Sequence, residues 1–230
     1  MLKFQQKGVK MEKFLPVLKK VPLFSGIEDE ELTRMLCCLG AKIKSFDKKS
    51  TVFSEGDTAK FIGIVLEGSV MIYRDDYLGN RSILGESYEG ELFAESFACA
   101  ELDELPVAVV TNEKSAVMLI ECAHILHTCH NGCSFHHRLI FNLMRDLATK
   151  NIDYHTKLEI ISKRTTREKL LAYLEIKAKQ SGSPAFEIPF DRQELADYLE
   201  VERSGLSSEI GKMKKEGIID AYKNHFKLLV

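Results

Sequence analysis

The sequence lacks several features that mark particular classes of protein. It has no Trp, and its 230 residues include only 5 Pro and 14 Gly. No segment approaches the run of about 18 apolar residues that crosses a bilayer. An apolar content of 45% is too high for a disordered chain. These absences exclude collagenous, disordered and membrane-spanning proteins, and they leave a globular protein of one large or two modest domains.

The chain also lacks the short motifs of common enzyme classes. It contains no nucleophile elbow, no glycine-rich phosphate loop and no HExxH zinc motif, so we expect a protein that is not an enzyme. The first 20 residues carry lysines and Pro16 where a secretory signal would have an apolar core. We therefore expect a cytoplasmic protein with reduced thiols.

Charge is distributed unevenly along the chain. The formal net charge is −2, but residues 163–230 have a balance of +2 and the rest of the chain has a balance of −4. A mildly basic C-terminal third is compatible with nucleic-acid binding without indicating it alone.

The middle of the chain has the texture of a β-structure. Glycine turns at Gly56, Gly68, Gly79 and Gly90 separate short runs of β-branched and aromatic residues. This spacing predicts an all-β roll or barrel, preceded by helices at 11–21 and 29–39. The predicted strands are 51–53, 61–66, 69–73, 107–111 and 116–120.

Residues 134–162 contain neither Gly nor Pro, and they predict one long helix. An apolar stripe with alternating spacings of four and three runs along it, as in the seam of a coiled coil. The alternative is a stripe that packs on the protein's own body. The polar Asn151 favours a dimer, because one polar seam residue sets register and partner number. The stripe consists of Ile140, Met144, Leu147, Asn151, Tyr154, Leu158 and Ile161.

The last third predicts a winged helix-turn-helix. We expect a helix at 167–179, a strand at 186–190, two short helices at 192–199 and 203–215, and a hairpin at 218–222 and 225–229. Asp191 and Glu194 have the spacing of a capping box. Opposite the apolar face of the second short helix lies a stripe of Ser204, Ser207, Ser208, Gly211 and Lys215, with Arg203 at its N-terminal edge.

Five segments together resemble the Crp/Fnr family of transcription regulators, the cyclic-AMP receptor protein and FNR type. They are 55–57 (EGD), 65–70 (VLEGSV), 90–95 (GELFAE), 191–196 (DRQELA) and 202–207 (ERSGLS). The resemblance covers nearly the whole chain and implies an α+β fold. It assigns residues 1–133 to an effector-sensing β-roll of the cyclic-nucleotide-binding type, 134–162 to a dimerisation helix and 163–230 to a winged helix-turn-helix that binds DNA.

The resemblance implies a homodimer that recognises an inverted repeat in double-stranded DNA, with RNA polymerase as a further partner. Arg203 is suited to a guanine or a phosphate, and Arg192 and Gln193 to backbone phosphates. The expected DNA-binding residues are Arg192, Gln193, Arg203, Ser204, Ser207, Ser208 and Lys215.

Residues 90–95 resemble the start of the family's effector cassette, which in this chain ends at Leu105 and Pro106 and departs from the family pattern there. In the cyclic-nucleotide binders of the family it ends in an arginine and a serine that hold the phosphate, whereas this chain has Leu105 and Pro106. We therefore expect a small-molecule effector other than cyclic AMP, of unknown identity. Glu95 is a candidate ligand to it or a simple helix cap. The expected effector-binding residues are Ala94, Glu95, Ser96, Leu105, Pro106 and Val107, with Asn151, Ile152 and Tyr154 on the long helix.

Cysteines and histidines cluster between residues 122 and 137. If the long helix extends back to Cys129, then Cys129, Cys133 and either His136 or His137 share a face that suits zinc or another thiophilic metal, and His137 is the expected third ligand. The alternative is buried thiols beside exposed imidazoles. An iron–sulfur cluster of the FNR kind is not expected, because the chain has no cysteine before Cys37. A metal- or thiol-redox-responsive regulator and a non-DNA interaction module are thus the competing functions.

Overall fold

A computed structural model describes residues 11–78, 81–127 and 134–229. The chain divides into two compact units, Met1–Ala148 and Thr149–Val230, and the division falls inside the long helix. Each unit has its own apolar core. The domain limits at 133/134 and 162/163 stay a prediction.

The N-terminal segment is more broken than its apolar pattern indicates. Instead of one helix over 11–21, a 3₁₀ turn at Met11–Phe14 leads into the short helix α1, Leu15–Leu18, and a second 3₁₀ turn covers Pro22–Phe24. Pro16 has no amide proton, so it fits only in the first turn of an α-helix. Helix α2, Asp29–Cys38, agrees with the prediction to within one residue.

The predicted roll has eight strands. They are β1 Lys42–Phe46, β2 Thr51–Phe53, β3 Phe61–Glu67, β4 Ser69–Asp75, β5 Arg81–Tyr88, β6 Leu92–Phe93, β7 Ala108–Thr111 and β8 Ser115–Glu121. They form two antiparallel four-stranded sheets, with the orders β1-β8-β3-β6 and β2-β7-β4-β5. The five predicted strands are present, whereas β1, β5 and β6 were missed.

Strands β3 and β8 are buried on both faces, which explains their continuous apolar sequences. In β3, Ile62 and Ile64 pack toward the helices of this unit. Val65 packs instead into an apolar cluster that draws residues from both sheets, which we call the roll interior. In β8, Met118 and Val117 divide between the same two cores.

Two short helices follow strands of the roll. Helix α3 spans Glu95–Cys99, and helix α4 spans Cys122–Leu126 directly after β8. The long helix α5 covers Ser134–Ile161, one residue shorter than predicted. Leu139 anchors its first part in the core of the first unit, where the Asn142 amide donates to the Leu23 and Ser25 carbonyls at 3.0 and 2.9 Å.

The second unit is a helical core with a small three-stranded sheet in the order β10-β11-β9. A capping box starts its first helix, since the Thr165 hydroxyl accepts from the Glu168 amide and the Glu168 carboxylate accepts from the Thr165 amide. None of the helices in the described ranges is long and apolar enough to cross a membrane. The elements are α6 Thr166–Ser181, β9 Ala185–Glu187, α7 Arg192–Leu199, α8 Arg203–Lys215, β10 Ile219–Tyr222 and β11 His225–Leu228.

Candidate functional site

Helix α7 begins at the predicted capping box. The Asp191 carboxylate accepts from the amides of Gln193 and Glu194 at 2.7 and 2.9 Å, and the Glu194 carboxylate accepts from the Asp191 amide at 2.7 Å. The helix ends at Glu200, whose φ of 51° turns the chain toward α8. Local sequence thus fixes the start of the first helix of the motif.

Helix α8 buries one face and exposes the other, as its spacing predicts. Leu206, Ile210 and Met213 pack into the core of the second unit. The expected reading residues of α8 are all exposed: Arg203, Ser204, Ser207, Ser208 and Lys215. Small side chains between two cations allow a helix to approach closely to a groove of DNA.

Ion pairs separate the basic residues of this region into two groups. Arg167 donates to Glu209 at 2.6 Å and to Glu216 at 2.8 Å, and these bonds hold the pKa of both carboxyls below the ordinary range. Lys212 pairs with Glu209 at 3.3 Å. Lys214 donates to the Ala221 carbonyl at 2.6 Å and pairs with Asp220 at 3.1 Å. These three cations are therefore already engaged within the protein.

Arg203 and Lys215 form the other group. Within the described part of the chain, neither has an ion-pair or hydrogen-bond partner for its charged side-chain group. They stand at the first and last residues of α8, with the exposed serines between them. The helix thus presents two available cations at the ends of an otherwise small, polar face.

The two residues expected at backbone phosphates have partners of their own. The half-buried Arg192 donates to the Lys223 carbonyl at 3.2 Å, and its guanidinium lies 5.5 Å from the centre of the Phe226 ring. Burial, followed by the nearby Arg203 charge, lowers the Arg192 pKa. The exposed Gln193 donates to Asp197 at 2.8 Å. Arg192 therefore connects the start of α7 to the hairpin, and its phosphate contact stays a prediction.

Lys223, at the tip of the hairpin, is a candidate DNA-binding residue that was not predicted from the sequence. Tyr222 and His225 are paired residues of β10 and β11, so the turn between them has only two residues. Lys223 takes a φ of 53° there, and its ammonium lies 5.7 Å from the Tyr222 ring centre. The pattern of two strands separated by Lys223 and Asn224 is the signal that identifies this exposed wing tip.

In the first unit, three of the expected effector residues are buried, and two of them share one apolar cluster. Ala94, Leu105 and Val107 are all buried, and Ala94 and Leu105 belong to the roll interior. Ala94 has a φ of 62° immediately before α3. The Gly56 amide donates to the Leu105 carbonyl at 2.9 Å, so the EGD turn lies against the end of the cassette.

The remaining expected effector residues differ in exposure. Glu95 is only 5% exposed, whereas Ser96 is exposed and Pro106 is half-buried. The buried polar residues of the described ranges include no Lys or Arg. Asn151, Ile152 and Tyr154 belong to the second unit, and all three are exposed on α5.

The expected metal site falls largely outside the described residues. Cys129 and Cys133 lie there, and His137 is exposed near the start of α5. Within the ranges that the structure describes, no group of three or more His, Cys, Asp or Glu side chains is arranged to hold a metal. The predicted metal site is therefore untested.

Each of the two compact units of the chain matches the model of a known domain family. Residues 43–131 match the cyclic nucleotide-binding domain, and residues 168–229 match the Crp-like helix-turn-helix domain. The first match contains the roll and the cassette. The second contains both helices of the motif and the wing.

Individual relatives are similar to this chain over most or all of its length. The sequence is 24% identical to the cyclic AMP receptor protein of Thermus thermophilus over 88% of this chain and 89% of that protein. The structure resembles the c-di-GMP responsive global regulator CLP of Xanthomonas campestris, with a TM-score of 0.57, 19% identity and coverage of 88% and 100%. It also resembles DNR of Pseudomonas aeruginosa, with a TM-score of 0.51, 20% identity and coverage of 100% and 96%.

Proposed function

Since the chain belongs to the Crp/Fnr family of transcription regulators and joins an effector-binding type of domain to a DNA-binding helix-turn-helix, we propose that it is a homodimer. Each copy uses α8 to recognise one half of an inverted repeat in DNA. Binding of an effector other than cyclic AMP shifts the dimer between two arrangements of its helix-turn-helix domains. The relatives named above support a regulatory role rather than a catalytic one.

The observation that carries the DNA-reading proposal is the difference between engaged and available cations on α8. Lys212 and Lys214 are paired within the protein, while Arg203 and Lys215 are not. A guanidinium at the first residue of a groove-inserted helix is suited to the O6 and N7 atoms of guanine. An ammonium at the far end is suited to a phosphate. The exposed serines leave room for the base edges between them.

The dimer proposal rests on the exposed apolar side chains of α5. Met144, Tyr154 and Leu158 are 59%, 64% and 56% exposed, so they do not pack on the protein's own body. A second copy of the helix would remove these side chains from water, and Asn151 would fix the register between the two copies. Two α8 helices would then contact half-sites about 34–36 Å apart, and RNA polymerase is the expected further partner.

Cyclic AMP is the wrong ligand for this roll interior. The Thermus thermophilus relative is named as a cyclic AMP receptor, but this chain has Leu105 and Pro106 at the end of the cassette. A buried phosphate without a cation costs several kcal/mol, and the described buried residues supply none. We expect calorimetric titration with cyclic AMP to show no binding in the micromolar range. Micromolar binding would contradict this assignment.

The DNA-reading proposal is tested by selecting DNA with the purified full chain. Random-sequence duplexes are incubated with wild-type protein and with Arg203→Ala, and the retained duplexes are sequenced. We expect an inverted repeat for the wild type and a motif with one weakened base pair in each half-site for the variant. Retention without any enriched motif, or no salt-sensitive retention under both reducing and oxidising conditions, would instead favour a module that binds another protein.

A further inference from the structure

Two cysteines that lie far apart in the sequence meet in the first unit. Cys99 is the last residue of α3, and Cys122 is the first residue of α4. Their Sγ atoms are 3.5 Å apart. Cys122 is 3% exposed, while Cys99 is half-buried, so one thiol of the pair is within reach of solvent.

The sequence pattern associates Cys122 with the cysteines and histidines that follow it, but the structure gives it Cys99 as a neighbour. The two thiols share a hydrogen bond in which either sulfur can be the donor, and this bond lowers the pKa of Cys122. The same bond, together with burial, raises the pKa of Cys99. When the pair loses its first proton, the thiolate is therefore held in an S–H···S⁻ bridge, and transfer of the remaining proton places the thiolate on either sulfur.

We propose that Cys99 and Cys122 are a thiol–disulfide modification site, which an oxidant of the peroxide class converts to an intramolecular disulfide and which small thiols reverse. The sulfurs need to approach from 3.5 Å to about 2.05 Å, the length of a disulfide bond. The two remaining cysteines of the described residues, Cys37 and Cys38, are adjacent and exposed.

The reaction balances with hydrogen peroxide as the two-electron oxidant. The thiolate of the half-buried Cys99 attacks one peroxide oxygen, so that an S–O bond forms, the O–O bond breaks and hydroxide leaves. Cys122 gives its proton to that hydroxide and attacks the Cys99 sulfur. The S–S bond forms, the S–O bond breaks, and the second hydroxide takes a proton from solvent. Two thiols lose two electrons and two protons, and one peroxide becomes two waters.

The disulfide would join covalently two helices that pack in the same apolar core. Helix α3 carries Glu95 of the effector cassette at its first residue, and α4 follows directly from β8. Ala98 and Ile125 are buried in the same apolar core as Cys122. A covalent bond between the helices would therefore fix the cassette helix relative to that core. The formation of this disulfide does not require DNA, so the experiment that tests it uses the protein alone.

The test uses the full chain and peptide mapping. Wild-type protein is treated with one equivalent of hydrogen peroxide, free thiols are alkylated, and peptides are identified by mass spectrometry before and after reduction with dithiothreitol. We expect a linked Cys99–Cys122 peptide, lighter by two hydrogen atoms than its reduced parts, which dithiothreitol separates. The double variant Cys37→Ser/Cys38→Ser is the control, and it should give the same linked peptide.

Removal of one partner provides the second measurement. Because Cys99 is half-buried, Cys99→Ser is the variant that disturbs the core less, and it should slow the peroxide-driven loss of the Cys122 thiol about tenfold or more. Its circular dichroism spectrum checks that it folds. The proposal is overturned if both thiols stay alkylatable, or if Cys99 is oxidised to a sulfinic acid without a link. It is also overturned if Cys122 is linked to Cys129 or Cys133.

Discussion

The side chains of α8 show why exposure alone does not identify a reading residue. Arg203, Lys212, Lys214 and Lys215 are all exposed on one helix, as its period predicts. Only the fold brings Asp220 to Lys214, and only the fold brings Arg167 to Glu209, which also pairs with Lys212. The partners of Lys214 and Arg167 thus belong to different elements from the cations themselves, whereas Glu209 lies three residues before Lys212 in α8, a spacing that the sequence itself shows.

Arg203→Ala tests the most specific claim at this scale. If the guanidinium contacts a guanine, the loss of affinity for the selected site should be about 1–3 kcal/mol, and discrimination at one base pair per half-site should fall. Lys212→Ala is the matched control, because Glu209 already pairs with that ammonium, and its effect should be small. Fluorescence anisotropy with the selected site and its single-base variants measures both.

Two other results are informative for Arg203. An equal loss for every sequence, with a weaker salt dependence, would assign this residue to a phosphate. Unchanged affinity for every duplex would show that α8 is not the reading helix.

At the scale of elements, the strands of the roll were predicted where burial leaves a strong apolar pattern. β3 and β8 are buried on both faces and are clear in the sequence. β5 was missed because most of its residues are exposed, and β6 because it has only two residues. β9 ends before the predicted limit of 190, since Pro189 has no amide to donate to a neighbouring strand. Backbone pairing without burial thus leaves little trace in a sequence.

Gly63 shows how closely the two strands of one sheet approach each other. A Cβ atom at this position of β3 would overlap the ring of Phe93, which is buried in the roll interior beside Phe53. We expect Gly63→Ala to lower the free energy of unfolding by about 1–3 kcal/mol, measured by urea denaturation. Gly85→Ala is the control, because a Cβ atom there meets nothing within 4 Å. Equal stability of the two variants would contradict the close packing of β3 against β6.

At the scale of the whole molecule, the proposed recognition of an inverted repeat requires a second copy of the chain. The order of roll, long helix and winged helix-turn-helix was predicted from the sequence, because each part has its own periodicity and turn signals. The effector was not predicted, because the cassette has a buried carboxylate, Glu95, but ends in Leu105 and Pro106 rather than in a cation that would indicate an anionic ligand. Likewise, the stripe on α5 indicates a partner helix only through the seam spacing and the exposure of Met144, Tyr154 and Leu158, since Leu147 packs on the core of the first unit.

Asn151→Leu tests the proposed seam. Replacement of a polar seam residue by an apolar one should tighten self-association and weaken its preference for a parallel dimer. Analytical ultracentrifugation should show a dimer for the wild type and, for the variant, tighter association with some larger species. Sedimentation of both proteins as monomers at the same concentrations would remove the dimer from the account.

The most direct test of a dimeric DNA reader is the affinity of the wild-type chain for its selected site before and after one half-site is scrambled. Each mismatched base pair costs about 1–3 kcal/mol, so scrambling a half-site should lower affinity by roughly 100-fold or more. The intact site should bind two chains with half-site centres about 34–36 Å apart. Unchanged affinity, or one chain bound to the intact site, would contradict the proposal that two α8 helices read an inverted repeat.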